Sequence, residues 1–293
     1  MVWLSLIAIL VVLVWGGTFV NSKVLLLHGM TPEEIFTIRF LLAYICTWCI
    51  SKRRLWCASW RDELLLLLAG VTGGSLYFLS ENIAVGISLT TNVSFIVCTT
   101  PLLTALLGIM TSRSIHASRS LIIGSVIALA GTATIIFNGQ VTFKLNPLGD
   151  MLAWVASLCW AVYSLLIRKV SGRYDAVLIT RKVFGYGLLT ILPVYLIRPW
   201  QSGWDVISQP VVWGNLLYLG VVASFICFVV WSWVLVKMGT IKASNFIYLN
   251  PISTVVISAV VLQEPYTWLS AVGSVLVLVG VYVANRNVNE LAD

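Results

Sequence analysis

Residues 70–104 read GVTGGSLYFLSENIAVGISLTTNVSFIVCTTPLLT, and residues 220–254 read GVVASFICFVVWSWVLVKMGTIKASNFIYLNPIST. Gly70, Val71, Phe78, Thr90, Ser94, Pro101 and Thr104 recur as Gly220, Val221, Phe228, Thr240, Ser244, Pro251 and Thr254, a shift of 150 residues. Further on, Gly124-Ser125-Val126 with Leu129 and Gly131 recurs as Gly273-Ser274-Val275 with Leu278 and Gly280, at a shift of 149. The second half of the chain therefore repeats the first.

Composition says what solvent the repeated unit meets. Of 293 residues, 59% are hydrophobic and 10% charged, and the mean hydropathy is +0.97. That is more apolar surface than a soluble fold can hide, so the solvent is lipid. A helix satisfies its own backbone in lipid and needs about 20 apolar residues to cross. Ten segments qualify: 3–27, 32–50, 64–87, 90–111, 119–137, 148–170, 177–197, 211–236, 241–262 and 267–285. The first, lacking a basic n-region and a clear cleavage site, reads as a retained span and not a signal peptide.

The fold expected is an all-α integral membrane protein of ten transmembrane helices. It is built as two inverted five-helix repeats, 1–140 and 146–287, with a short cytoplasmic tail at 288–293. A unit with an odd number of spans, duplicated in one chain, crosses in opposite senses. Inverted repeats can alternate which half opens, and this points to transport.

The cations set the orientation. Lys52, Arg53, Arg54, Arg61, Arg113, Arg119, Arg168, Lys169, Arg173, Lys237, Lys242 and Arg286 fall at one side, with Arg181 and Lys182 one to two turns in from it. Only Lys144 and Arg198 fall at the other. Basic loops stay inside, so both termini should be cytoplasmic in a multi-pass protein of the cell (inner or plasma) membrane. Trp56 and Trp60 mark the inner boundary, and Trp200, Trp204, Trp213 and Trp268 the outer one; Trp15, Trp160 and Trp231 are too deep for that belt.

The same pattern excludes other classes. The net charge of +7 lies in short loops, with no continuous basic stripe, so no nucleic-acid partner is expected. Cys46-x-x-Cys49 has no second pair at ligand spacing and reads as packing, so no metal or cofactor is expected. Without HExxH, GxSxG or a P-loop, an intramembrane enzyme is a distant rival, and a receptor or assembly module without transport is the other.

Three charges resist assignment to loops: Lys23, Arg39 and Glu81. All three fall at similar height in the outer leaflet, where each must be paired or used. Lys23 snorkelling above an Arg39–Glu81 pair is one reading; a substrate anion on Lys23 or Arg39, with Glu81 as counter-ion or proton carrier, is the other. Aromatic and polar residues gather on matching faces: Trp15, Phe19 and Lys23; Tyr77 with Glu81 and the adjacent Asn82; Asn92 with Thr99; Trp160 with Tyr163; Tyr248 with Asn250. Pro101 and Pro251 are expected hinges, since each removes a backbone donor mid-span. A small-molecule metabolite and the lipid bilayer are the expected partners. Protons are a candidate coupling ion and a homodimer a candidate assembly.

Taken in order, these residues resemble the EamA-like branch of the drug/metabolite transporter superfamily. The resemblance is carried by Trp15-Gly16-Gly17, Arg39-Phe40, Pro101-Leu102-Leu103-Thr104, Asn250-Pro251 and Leu262-Gln263-Glu264. It departs at Ser114, where the position matching Glu264 has no acid, and at the polar pair Glu81-Asn82. The resemblance implies a central cavity lined by the first, third, fourth, sixth, eighth and ninth segments, with the fifth and tenth at the periphery. It also implies efflux of amino acids, other small metabolites or drugs.

Overall fold

A computed structural model describes residues 2–50, 56–88, 90–111, 118–137, 146–261 and 267–286. Its helices are α1 (Val2–Leu27), α2 (Pro32–Ile50), α3 (Trp60–Ile87), α4 (Thr90–Val97 continued by Thr100–Thr111), α5 (Arg119–Phe137), α6 (Pro147–Val170), α7 (Ala176–Leu196), α8 (Pro210–Met238), α9 (Thr240–Val261) and α10 (Trp268–Asn285). A single helical turn, Trp204–Ile207, sits in the connection before α8. Among the described residues there is no strand beyond an isolated bridge between Ser171 and Tyr174. Length and composition qualify eight helices to cross a membrane: α1, α3, α4 and α6 to α10. The 19-residue α2 carries Glu33, Glu34 and Arg39, and the apolar part of α5 is shorter. The side chain of Asn92 lies outside the described residues, as do Lys52, Arg53, Arg54, Arg113, Ser114, Lys144, Glu264 and the tail at 288–293.

Local chemistry explains the helix starts. Asn146 caps α6 by accepting from Gly149 N at 3.1 Å, with Pro147 at the first helical position. Its amide also donates to the Ile87 carbonyl at 2.8 Å, which ties the start of α6 to the end of α3. Asp175 caps α7 through Leu178 N at 2.8 Å.

Besides the 3₁₀ end of α7 at Leu192–Leu196, four places leave regular α-geometry, and they sit in the repeated stretches. Val71–Ser75 in α3 and Tyr218–Ile226 in α8 are π-helical. Asn245–Leu249 in α9 is a 3₁₀ segment, and α4 breaks between Val97 and Thr100. Pro101 and Pro251 each open the regular stretch after such a break, where a proline's missing N–H costs nothing.

Helix contacts cross between the two halves. A Cβ on Gly70 in α3 would touch Tyr186, Gly187 and Val183 of α7; one on Gly220 in α8 would touch Leu42 and Arg39 of α2. α5 and α10 run antiparallel with backbones in contact. Gly124 faces Ala284 and Gly280, while Gly131 faces Gly273 and Val277.

Candidate functional site

Where α1, α3, α6 and α8 meet, four aromatic rings lock together. Trp15 makes edge contacts with Trp160 at 5.2 Å and Phe228 at 5.7 Å, and Tyr77 lies 5.0 Å from Trp160. The Trp15 indole donates to the Ala223 carbonyl at 2.8 Å. That carbonyl belongs to the π-helical stretch of α8, where the regular ladder is interrupted. Gly16, the next residue of α1, has no side chain because α9 leaves no room. A Cβ there would fall 2.6 Å from the Asn250 carbonyl and 1.8 Å from Ser253 Oγ. Thr254 closes the junction by donating to the Gly16 carbonyl at 2.8 Å.

Above these rings is a cavity of about 30 Å³. A buried water needs about 10–15 Å³, so the cavity has room for roughly two waters. Trp15, Phe19, Arg39, Tyr77, Glu81, Trp160 and Asn250, all among the candidate site residues, line it. Thr18, Phe78, Val97, Thr100, Phe228 and Ile247 complete the wall. The recurrence of Phe78 as Phe228 was the available signal for two of these.

The charged residues define the cavity's chemistry. Arg39 is 1% exposed and Glu81 5% exposed. The Arg39 guanidinium donates from Nε to Ser224 Oγ at 2.7 Å and lies 4.1 Å over the Phe78 ring. Glu81 sits beside both Arg39 and Tyr77. Two buried opposite charges offset each other's desolvation. On the same wall, Trp160 Nε1 and Asn250 Oδ1 are buried without a hydrogen-bond partner among the described residues. One donor and one acceptor are thus left on the wall that carries Arg39 and Glu81.

Four expected site residues lie elsewhere. Lys23 reaches the far end of α3, where Nζ donates to the Val85 carbonyl at 2.9 Å, one of the last-turn carbonyls a helix leaves unpaired. Asn82 follows Glu81 by about 100° of helical rotation and donates to the Pro32 carbonyl of α2 at 3.3 Å. Tyr163 is pressed against Gly73 below the cavity, behind Trp160. Tyr248 lies in the 3₁₀ segment, where positions three apart eclipse. Ile247 and Asn250 therefore share the cavity face, and Tyr248 turns to Ser125 of α5.

Polar clasps join the halves at both ends of the bundle. At the end carrying Asp62, Arg173 bonds that carboxylate at 2.6 Å and the Tyr174 hydroxyl donates to it at 2.8 Å. Glu63 accepts from Lys182, Tyr186 and the Cys57 backbone. Burial, and then the neighbouring Glu63 carboxylate, push the Cys57 thiol up to about 11. Burial and the bond to Asp62 likewise raise the Tyr174 phenol above its ordinary value. At the opposite end Glu34 accepts from Ser202 N at 2.8 Å, Gln201 N at 2.5 Å and Thr31 N at 2.9 Å. Asn21 bonds Asn215 there at 2.5 Å. Arg173 has a side chain 51% exposed, so Arg173→Ala should shift thermal unfolding by about 1 kcal/mol or less. A melting series in rising salt checks this, because an exposed pair loses its strength to screening.

The sequence pattern of the EamA-like transporter family matches residues 2–137 and again 147–286. A protein of Archaeoglobus fulgidus described as an uncharacterized transporter is 27% identical over 282 residues, covering 95% of this chain and 96% of the relative. A relative from Escherichia coli, described as a "Probable amino-acid metabolite efflux pump", is 25% identical, covering 95% of this chain and 93% of its own. A protein of Salmonella typhimurium with the same description is 28% identical, covering 94% and 93%. A solved crystal structure shares the fold, with a TM-score of 0.76 at 19% identity over 97% of this chain and 98% of that one. Matched over nearly its whole length, this multi-pass membrane protein belongs to the EamA-like transporter family, within the drug/metabolite transporter superfamily.

Proposed function

We propose that the chain is a secondary transporter of the cell membrane, exporting an amino acid or another small polar metabolite by alternating access. The cavity carries this reading. A buried cation and carboxylate, with an unpartnered donor and acceptor on the same wall, suit a small molecule bearing charge and hydrogen-bonding groups. A space for about two waters is too small for such a molecule, so passage requires the helices around it to separate.

Ten crossings in two inverted halves, about 1–140 and 146–287, supply that movement, with α2 and α5 as the remaining spans. Three observations support inversion: the recurrences at a shift of 150, the reciprocal packing of Gly70 on α7 and Gly220 on α2, and the antiparallel run of α5 against α10. The clasps at Asp62–Glu63 and at Glu34 would open in turn, one for each face. The cation count supports a cytoplasmic position for the Asp62 end and both termini.

Glu81 is the proposed proton carrier, beside Arg39. In proteoliposomes Glu81→Gln should lower flux and flatten its dependence on pH, because the amide cannot exchange the proton. Flux equal to wild type at every pH would overturn the coupling role. Substrate binding without counterflow would favour the receptor reading.

A further inference from the structure

Between α2 and α7 a groove of about 520 Å³ opens on the outside of the bundle, away from the central cavity. Its apolar wall is open to the outside: Leu41 is 46% exposed, Leu189 59% and Leu192 57%. Its volume lies in the range of about 300–1,000 Å³ common for small-molecule sites. One end is charged and the other apolar. Arg181 and Lys182 lie at the charged end, buried to 2% and 9% exposure. Arg181 lies 5.1 Å over the Trp48 ring, and Lys182 lies 4.8 Å over that of Trp56.

We propose that this groove binds one anionic phospholipid. Arg181 and Lys182 hold its phosphate, and an acyl chain lies along Leu41, Leu188, Leu189 and Leu192. The dimensions fit a single leaflet: eleven residues separate Arg181 from Leu192, roughly 16 Å of rise, against about 15 Å for half the hydrocarbon core. Trp48, Trp56 and Tyr44 stand at the charged end, where interfacial aromatics belong. Lys182 pairs with the Glu63 carboxylate, and Arg181 adds a second cation beside it on the same wall. A guanidinium has five N–H donors in a fork that matches phosphate, so Arg181 can take a phosphate alongside its other acceptors. Basic pockets between helices at the cytoplasmic side recognise anionic headgroups in this way. The placement in that leaflet rests on the orientation proposed above; the binding test below does not.

The test is native mass spectrometry of the purified protein after incubation with equal amounts of phosphatidylglycerol and phosphatidylcholine in detergent. One phosphatidylglycerol per chain should be retained over phosphatidylcholine. Arg181→Gln should reduce that preference about fivefold. Leu41→Trp, which fills the apolar channel and leaves both cations in place, should remove the retained lipid. Equal retention of the two lipids would overturn the proposal, and so would undiminished retention in Leu41→Trp, which decides the matter even if Arg181→Gln does not fold. Displacement by millimolar inorganic phosphate alone would assign the site to the free anion and overturn it equally. Flux measured on the same samples stands apart, since lipid retention neither requires transport nor follows from it.

Discussion

Arg39→Gln should abolish transport, and Arg39→Lys should not restore it. Arg39 performs three tasks at once: it donates to Ser224, stacks on Phe78 and faces Glu81. Removing the guanidinium leaves the buried Glu81 carboxylate without its counter-charge, at a cost of about 3–5 kcal/mol. That cost falls on folding; per folded molecule, loss of a buried charge contact to the substrate, about 3–5 kcal/mol at 1.4 kcal/mol per decade, should drop flux by more than about a hundredfold. Lysine keeps the charge but has neither the Nε–H aimed at Ser224 nor a planar face for Phe78. Counterflow in proteoliposomes, normalised to monodisperse protein, measures the effect; wild-type flux in Arg39→Gln would remove this residue from the site. The double variant Arg39→Leu with Glu81→Leu separates stability from function. Apolar replacement of a whole buried pair is often neutral to folding, so the melting temperature should recover while transport stays lost.

Gly131→Leu should destabilise the bundle by about 3 kcal/mol or more, the upper end of overpacking costs. A Cβ at Gly131 would lie 2.7 Å from the Gly273 carbonyl, and one at Gly273 would lie 2.6 Å from the Gly131 carbonyl. Both obstacles are backbone, which cannot rotate aside as a side chain can. The α5–α10 pair would have to separate, losing close packing that lipid does not replace, since association in the bilayer depends on such contacts. Gly214→Ala is the control: nothing lies within 4 Å of its Cβ position, and alanine in an exposed helical site should gain about 0.5–1 kcal/mol. Thermal unfolding followed by size-exclusion chromatography compares the two. Equal melting temperatures for Gly131→Leu and wild type would refute the contact.

Much of this molecule was legible from the chain alone. The hydropathic segments locate the helices to within about four residues, because lipid obliges each backbone stretch to satisfy itself. Arg39 and Glu81 stood out for the same reason: a charge in an apolar run must have a partner or a use. Trp15, Phe19, Tyr77, Trp160 and Asn250 followed from helical faces. The expectation went astray at Tyr248, where the periodicity itself changes. Five residues at 3.0 instead of 3.6 per turn swing a face by roughly 100°, enough to exchange Tyr248 for Ile247.

By itself the sequence determined the solvent, the helices, the duplication and the buried charges, since all of these depend on residue chemistry along a local stretch. Only the tertiary structure decided that Lys23 serves a carbonyl of α3, that Glu34 clasps Ser202 and Gln201, that Tyr163 rests on Gly73, and that a groove opens between α2 and α7. Each of these depends on the rotation of one helix against another distant in the chain. A single-residue step turns a side chain by about 100°, and nothing local to either helix sets that angle.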